Sequence, residues 1–402
     1  MDKYRRSQLS LIRIVACIAV VFPIGLSAQG DVCDTNYVQH SEMVLTVLPN
    51  GVDDTVNLQC AFNYGATLGA GVEVRLIPGT YRTAQLIING LNGVIRGAGQ
   101  GRTIIQNRAT QLPVLKPYDF YNELPSAQNP VPALITVLGK DVAMSDFSLH
   151  VMGMNPVADY YIFGFGPLNF MPWGVLVYGS DLSLRLETLE IGGSRKCFPD
   201  PELNLLNDVI SFNMGNQLPW SSNQKLVLAN NTFTGCQGVF AYDLAESNVL
   251  ITGNKFELLQ YGVVIGDIWN SSLEFSHNKV ATSTDPNNAP VAFDAWAGNF
   301  GTGIRNSSLV IRNNRFSGVE GIWMEGPFAE NIDCAIVGNN VEGITDVGYL
   351  FLPGTYGCTV VGDTKGNAVD LAGTNVFTGI TPRPGIGHDI APMMRNNKPK
   401  VP

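Results

Sequence analysis

Four acidic residues stand at matching points of four short apolar segments: Gly238-Val-Phe-Ala-Tyr-Asp243, Gly262-Val-Val-Ile-Gly-Asp267, Val291-Ala-Phe-Asp294 and Gly321-Ile-Trp-Met-Glu325. Two carboxyl groups held close together cannot both ionise freely. One keeps its proton and serves as an acid, while the other serves as base or nucleophile. If the segments are strands of neighbouring coils, about 4.8 Å apart, Asp243 faces Asp267 and Asp294 faces Glu325. Adjacent coils suit the roughly 5–5.5 Å separation of a retaining glycosidase, and alternate coils the wider inverting one. The competing expectation is an acidic turn column that solvates strand ends or binds water or Ca²⁺. No metal-ligand spacing such as Cys-x-x-Cys is present, and the sequence calls for no cofactor.

Aromatic residues accompany these acids. Trp269 and Trp296 each follow an Asp by two residues, Trp323 precedes Glu325 by two, and Tyr242 and Phe328 are near. Flat rings make good platforms for the apolar faces of sugars; alternatively, some of them fill the interior of the fold. Lys255, Lys279 and Arg315 form a basic series that either grips an acidic sugar, as a lyase requires, or is a solvated face. Two aromatic-rich stretches, with Tyr118, Phe120 and Tyr121 in one and Tyr160 to Trp173 in the other, either build a binding site on long loops or pack as a satellite core.

Positioning such residues requires a repeating scaffold, and the sequence contains one. Leu226-Val-Leu-Ala-Asn-Asn-Thr-Phe233 is echoed by Val249 to Phe256, Leu273 to Val280, Leu309 to Phe316 and Cys334 to Val341, with a weaker copy from Cys358 to Asp363. The marker residues Asn231, Asn254, Asn278, Asn314, Asn339 and Asp363 are spaced by 23, 24, 36, 25 and 24. The long interval holds one period plus a loop around Thr284-Asp-Pro-Asn-Asn-Ala289. Apolar residues at the first, third and eighth positions fit a period-2 strand, an Asn turn and a second strand. Such a unit buries its inner face only by stacking on its neighbours. The columns expected are Leu226, Val249, Leu273, Leu309, Cys334, Cys358 and Leu228, Ile251, Phe275, Ile311, Ile336, Val360, beside a ladder of Asn amides bonding turn backbone. Looser coils are expected at Val142–Leu149 and Leu182–Ile191. A capping helix is expected over Asp54–Tyr64, with Asp54 as N-cap, Val56, Cys60 and Ala61 as its apolar face, and Gly65 ending it.

The resulting plan is all-β: a right-handed parallel β-helix with an N-terminal capping helix. Residues 1–28 read as a signal peptide, with Lys3, Arg5, Arg6 and Arg13 before an apolar stretch and Leu26-Ser27-Ala28 as the cleavage pattern. Residues 29–93 form the arm, cap helix and first strands; 94–363 the coil stack, with long loops near 107–135, 153–173 and 192–224; and 364–402 a tail. The protein is thus expected to be secreted or periplasmic, with no membrane association after cleavage, and to be a monomer. Without residues 1–28, 21 basic and 33 acidic residues remain, a net charge near −12, which excludes ordinary nucleic-acid binding. Six Cys remain; Cys33 with Cys60 and Cys197 with Cys236 are candidate bridges, and Cys334 and Cys358, one period apart, are either bridged or stacked thiols.

Gly51-Val-Asp-Asp-Thr-Val-Asn-Leu-Gln59, Leu76-Ile-Pro-Gly-Thr-Tyr81 and Val94-Ile-Arg-Gly-Ala-Gly-Gln-Gly-Arg-Thr-Ile-Ile105 resemble the N-terminal cap and first coils of the pectin-lyase-like superfamily. The resemblance implies the β-helix and says little of chemistry. The Asn-Thr-Asp, Asp-Asp and Gly-His-Gly elements of polygalacturonases do not occur as a set, Asp53-Asp54 belonging to the cap motif, and the Arg-x-Pro-x-x-Arg element of pectate lyases and the Asp-Pro-His-Asp element of alginate epimerases are missing. Thr381-Pro-Arg-Pro-Gly385 and Gly387-His388-Asp389 are superficial echoes in a Pro-rich tail. The residues themselves lead to a polysaccharide partner and a glycoside hydrolase, with Asp243, Asp267, Asp294 and Glu325 catalytic. Tyr242, Trp269, Trp296, Trp323, Lys255, Lys279 and Arg315 would contact the sugar. A non-catalytic glycan-binding or surface structural protein is the first alternative, and a polysaccharide lyase the second.

Overall fold

The computed structural model describes residues 33, 36–107, 133–151, 160–161, 167–168, 173–177, 179–192, 208–212, 221–235, 237–286, 290–296, 303–326, 328–329, 332–362 and 367–384. Alternating apolar segments of β-branched and aromatic residues form strands that pair in parallel from coil to coil. Among the described residues, 13 strands make one sheet and 21 make another that bends round the coil. The chain is a right-handed parallel β-helix.

Both expected inner columns are in register. Leu226, Val249, Leu273, Leu309, Cys334 and Cys358 pair in sequence, as do Leu228, Ile251, Phe275, Ile311, Ile336 and Val360. All are buried, and rings stack between coils, with Phe233 and Phe256 at 4.6 Å. The Asn ladder is continuous. Each Nδ2 donates to the next Oδ1, from Asn231 through Asn254, Asn278 and Asn314 to Asn339, at 2.9–3.0 Å. Each also donates to a strand carbonyl, as Asn278 does to Ile251 at 2.9 Å. Asp363, Cys197 and Cys236 lie outside the described residues, as do residues 1–28. Disulfides join Cys33 to Cys60 and Cys334 to Cys358.

Several expectations are corrected. A coil holds three strands, not two: Asn248–Thr252, Lys255–Leu258 and Val263–Trp269 make one turn of the solenoid. The stack also starts before residue 94, because Val44–Val47 already pairs in parallel with Ala70–Leu76. It continues past residue 363, through Ala368–Asp370, Val376–Thr378 and Arg383–Pro384. The cap helix runs Thr55–Leu68 and buries Asn57, Leu58, Ala61, Phe62 and Gly65, while Val56 is exposed. Gly65 does not stop the helix; it lets it pack closely, since a Cβ there would lie 2.9 Å from Leu91 Cδ1. The Asp54 carboxylate does not cap the helix but accepts the N–H groups of Asn50 and Arg82.

A second column recurs at the corner that opens the third strand. Gly238, Gly262, Gly321 and Gly348 lie against the following coil. A Cβ on Gly238 or Gly262 would come within 2.1 Å of the next coil's carbonyl oxygen, and one on Gly321 within 2.3 Å. Only Gly allows the backbones to approach this closely. The residue before each glycine projects outward, as Tyr261, Glu320 and Val347 do.

Candidate active site on the outer face of the third strand

In the third strands, Phe293 and Ala295 point into the coil with Val263, Ile265, Ile322 and Met324. Alternation therefore sends Asp294 outward. Its register neighbours are Val264 on one side and Trp323 on the other, followed by Leu350 and Val369. Glu325 stands two residues beyond Trp323 on the next coil, where its N–H donates to Ala295 O at 2.7 Å. Glu320 stands at the corner, aligned with Val291 and Val347. Val291, Trp323, Leu350 and Leu352 form a buried cluster separate from the coil interior, with Tyr261, Val347, Val369 and Leu371 packed against it. A packed cluster thus lies outside the coil interior, built of apolar side chains and holding three carboxyl groups.

The electrostatics follow from that enclosure. Burial, then Glu325 and Glu320, raise the Asp294 carboxyl well above the usual carboxylate range. Burial pushes Glu320 up to about 8, with Asp346 and Glu325 adding to the effect. Burial also raises Glu325. The Tyr261 phenol is raised by burial and by all three acids. These shifts are those expected of anions desolvated together without a cation beside them. Asp294 is 8% exposed, Glu320 7% and Trp323 5%. Asp294 Oδ1, Glu320 Oε2 and Trp323 Nε1 are buried without a hydrogen-bond partner, an arrangement that native interiors seldom tolerate. Among the described residues, no group of three or more His, Cys, Asp and Glu is arranged to hold a metal ion.

The other candidates fall elsewhere. Asp294 and Glu325 do not face each other at one level, because Trp323 takes that level; the two-residue offset gives a Cα separation of about 8 Å. Asp243 lies between Tyr242 and Leu244, which pair with Gly266 and Ile268, so it shares its level with Asp267 and not with Asp294. The side chains of Tyr242, Asp243 and Phe328 are outside the described residues. Asp267 is buried at a left-handed bend, φ 48°, and its carboxylate accepts the Gly303 N–H at 3.0 Å. Trp296 is partly exposed and pairs with Gly266. Trp269 is 42% exposed and pairs with Arg305. Lys255, Lys279 and Arg315 do align, but on the second strand of the coil beside the Asn ladder. There Lys255 Nζ is 2.6 Å from Glu257 Oε1. Glu320 and Tyr261 escaped the sequence reading. The signal that finds them is the corner glycine: each immediately precedes one.

The fold places the chain in a class, the right-handed parallel β-helices. No family model and no characterised protein sequence matches it. Among solved structures it is similar to full-length tailspike protein 2 from an Escherichia coli O157:H7 bacteriophage, at 12% identity and a TM-score of 0.42 over 83% of this chain; it spans 45% of the tailspike's length. A polygalacturonase from Erwinia carotovora aligns at 10% identity and a TM-score of 0.40, covering 86% of this chain and 95% of that one. The surface adhesin PfbA of Streptococcus pneumoniae aligns at 11% identity and 0.37, over 78% and 81%. These are likenesses of fold.

Proposed function

We propose that the protein is an exported enzyme that cleaves glycosidic bonds of a polysaccharide at the Asp294–Glu325 cluster. The observation that carries this is a buried carboxyl, Asp294, and a half-buried one, Glu325, on adjacent coils, both raised, beside an unpartnered indole N–H. Asp294, more buried and flanked by two other acids, keeps its proton and serves as general acid toward the leaving oxygen. Glu325, at the more open edge, is the group that ionises first and acts as base on water. Their backbone spacing of about 8 Å favours the wider separation of an inverting enzyme over the roughly 5–5.5 Å of a retaining one. Asp243 and Asp267, at another level, have no part in this couple. Export rests on the N-terminal pattern of residues 1–28 and fits the two disulfides.

The test is activity on a panel of polysaccharides, read as new reducing ends. Asp294→Asn and Glu325→Gln are each expected to lower turnover by about 10²–10⁴-fold with melting temperature retained, and proton NMR of the first product is expected to show inversion. Full activity in both variants would remove the assignment. The exposed ring of Trp269 supports a second reading, a glycan binder without turnover. In that case the variants keep their ligand and the wild type releases no product. A lyase is less well supported, because no cation contributes to the shifts of Asp294, Glu320 or Glu325.

A further inference from the structure

The basic series on the second strand has no part in the acidic cluster, and its placement needs its own explanation. Lys255, Lys279 and Arg315 share one register position on three successive coils. Their Cα atoms are therefore about 4.8 Å apart, and the series spans roughly 10 Å. All three are exposed. Like charges placed directly opposite on neighbouring strands repel one another. The chain as a whole carries a net charge of −9, yet an acid relieves this repulsion at one end only, where Glu257 Oε1 is 2.6 Å from Lys255 Nζ. Among the described residues, Lys279 and Arg315 have no carboxylate within ion-pair distance. The outward positions that correspond to Glu257 on their coils are Ala281 and Ser317.

The surroundings narrow the kind of anion that completes the row. The column continues into Thr232 on one side and Asn340 on the other, so hydrogen-bonding groups flank the cations. These outward positions carry no aromatic ring on which unpaired bases would stack, and no large apolar side chain to enter a lipid surface. Each cation directly follows a ladder Asn, so the bonds that hold the turns in phase also hold the row straight. A fixed row of charges suits a linear polymer whose own charges recur along its length. A single small anion spans only part of it.

We propose that Lys255, Lys279 and Arg315 form a docking track for a linear acidic polysaccharide, a polymer with a carboxylate on each sugar, laid along the axis of the stack with its hydroxyls toward Thr232 and Asn340. The track is a binding site on a different strand of the coil from the acids, and binding there does not depend on turnover at Asp294. Lys279 shares its coil with Asp294, and Arg315 begins the strand that leads to Glu325. A polymer held on the track thus runs past the levels that bear the acids.

The experiment is calorimetric titration of the full mature chain at neutral pH and low salt. Polygalacturonate and polymannuronate are compared with their methyl esters, which keep the backbone and lose the charge, and with a DNA duplex and anionic phosphatidylglycerol vesicles. At least one of the two acidic polymers is expected to bind, at least tenfold more tightly than its ester, and to be released by added salt. Replacing Lys279 and Arg315 together by Gln is expected to weaken that binding at least tenfold. Glu257→Gln frees Lys255 and is expected to tighten it about threefold, a gain that no loss of folding could imitate. Binding of neither acidic polymer, or equal binding of its ester, would overturn the track. So would affinity left unchanged by the Lys279 and Arg315 replacements or by Glu257→Gln. Tighter binding of the duplex or the vesicles would overturn the choice of a polysaccharide. None of these outcomes bears on cleavage at Asp294, which the release of reducing ends tests separately.

Discussion

At the scale of single residues, the acidic cluster outside the coil turns burial into chemistry. Glu320, pushed up to about 8, holds its proton more tightly in the folded chain than in the unfolded one, where the carboxyl sits near 4.5. The folded state therefore binds the extra proton between those values, and stability falls as pH rises through that window. Asp294 and Glu325 shift in the same direction. The melting temperature of the wild type is expected to drop by several degrees between pH 5 and pH 8, and Glu320→Gln to flatten the drop; a wild-type profile that rises with pH would refute the shift. Activity has its own signature. Glu320 is one of the acids that keep Asp294 protonated, so Glu320→Gln should move the alkaline limb of the rate profile to lower pH. Asp294 and Glu325 were legible in the sequence as outward acids beside rings. Their true neighbours were not, because the alternation gives a side chain's face but not its level. A two-residue offset replaced the expected Asp294–Glu325 contact with Asp294–Trp323. Asp267 shows the complementary failure. Its left-handed φ of 48° turns a residue that looked like a member of the acid series into a cap for Gly303.

At the scale of elements, the second corner and the Asn ladder divide the labour. The ladder was readable because Asn recurs at nearly constant spacing and does one job, bonding turn backbone on three sides. Asn278 gives Nδ2 to Asn314 Oδ1 and to Ile251 O, and its Oδ1 takes the N–H and Nδ2 of Asn254. Asn278→Ala leaves several buried groups without partners, so a loss of roughly 3 kcal/mol or more is expected, measured by denaturant unfolding. Asn278→Asp keeps the acceptor and loses both donors, and should be destabilising as well. The third strand was less readable. Its corner is marked by single glycines at Gly238, Gly262, Gly321 and Gly348, and Ala292 interrupts the series in the one coil that carries Asp294. A glycine that bends a strand and a glycine that ends a helix look alike in sequence, and Gly65 shows the reverse confusion: it packs inside the cap helix rather than ending it.

At the scale of the whole molecule, the stack is held by neighbour-to-neighbour contacts, so its ends are its weakest parts. The cap helix covers the first coils, and the Cys33–Cys60 bridge fastens the chain to that helix. Near the other end, Cys334–Cys358 joins two successive coils across 24 residues. Reducing it, or replacing both residues with Ser, is expected to cost about 3 kcal/mol. Hydrogen exchange should show the loss concentrated from Cys334 onward and small at Leu226–Phe256. Uniform loss across the stack would contradict this nearest-neighbour picture. The sequence foretold the stack because the inner columns repeat. It missed the extent, Val44 to Pro384, because the first and last coils carry short, irregular strands whose copies are too brief to align.

The ladder has one more consequence. Its spacings are unequal, 23, 24, 36 and 25 from Asn231 to Asn339, yet every rung makes the same pair of bonds. Each amide thus acts as an index mark that returns the chain to phase after an excursion of any length. The longest excursion, between Asn278 and Asn314, belongs to the coil that bears Asp294. Sequence can be added there, beside the acidic cluster, without disturbing the phase of the coils above or below. Such a solenoid can change what it recognises by growing at one level while every other level keeps its place.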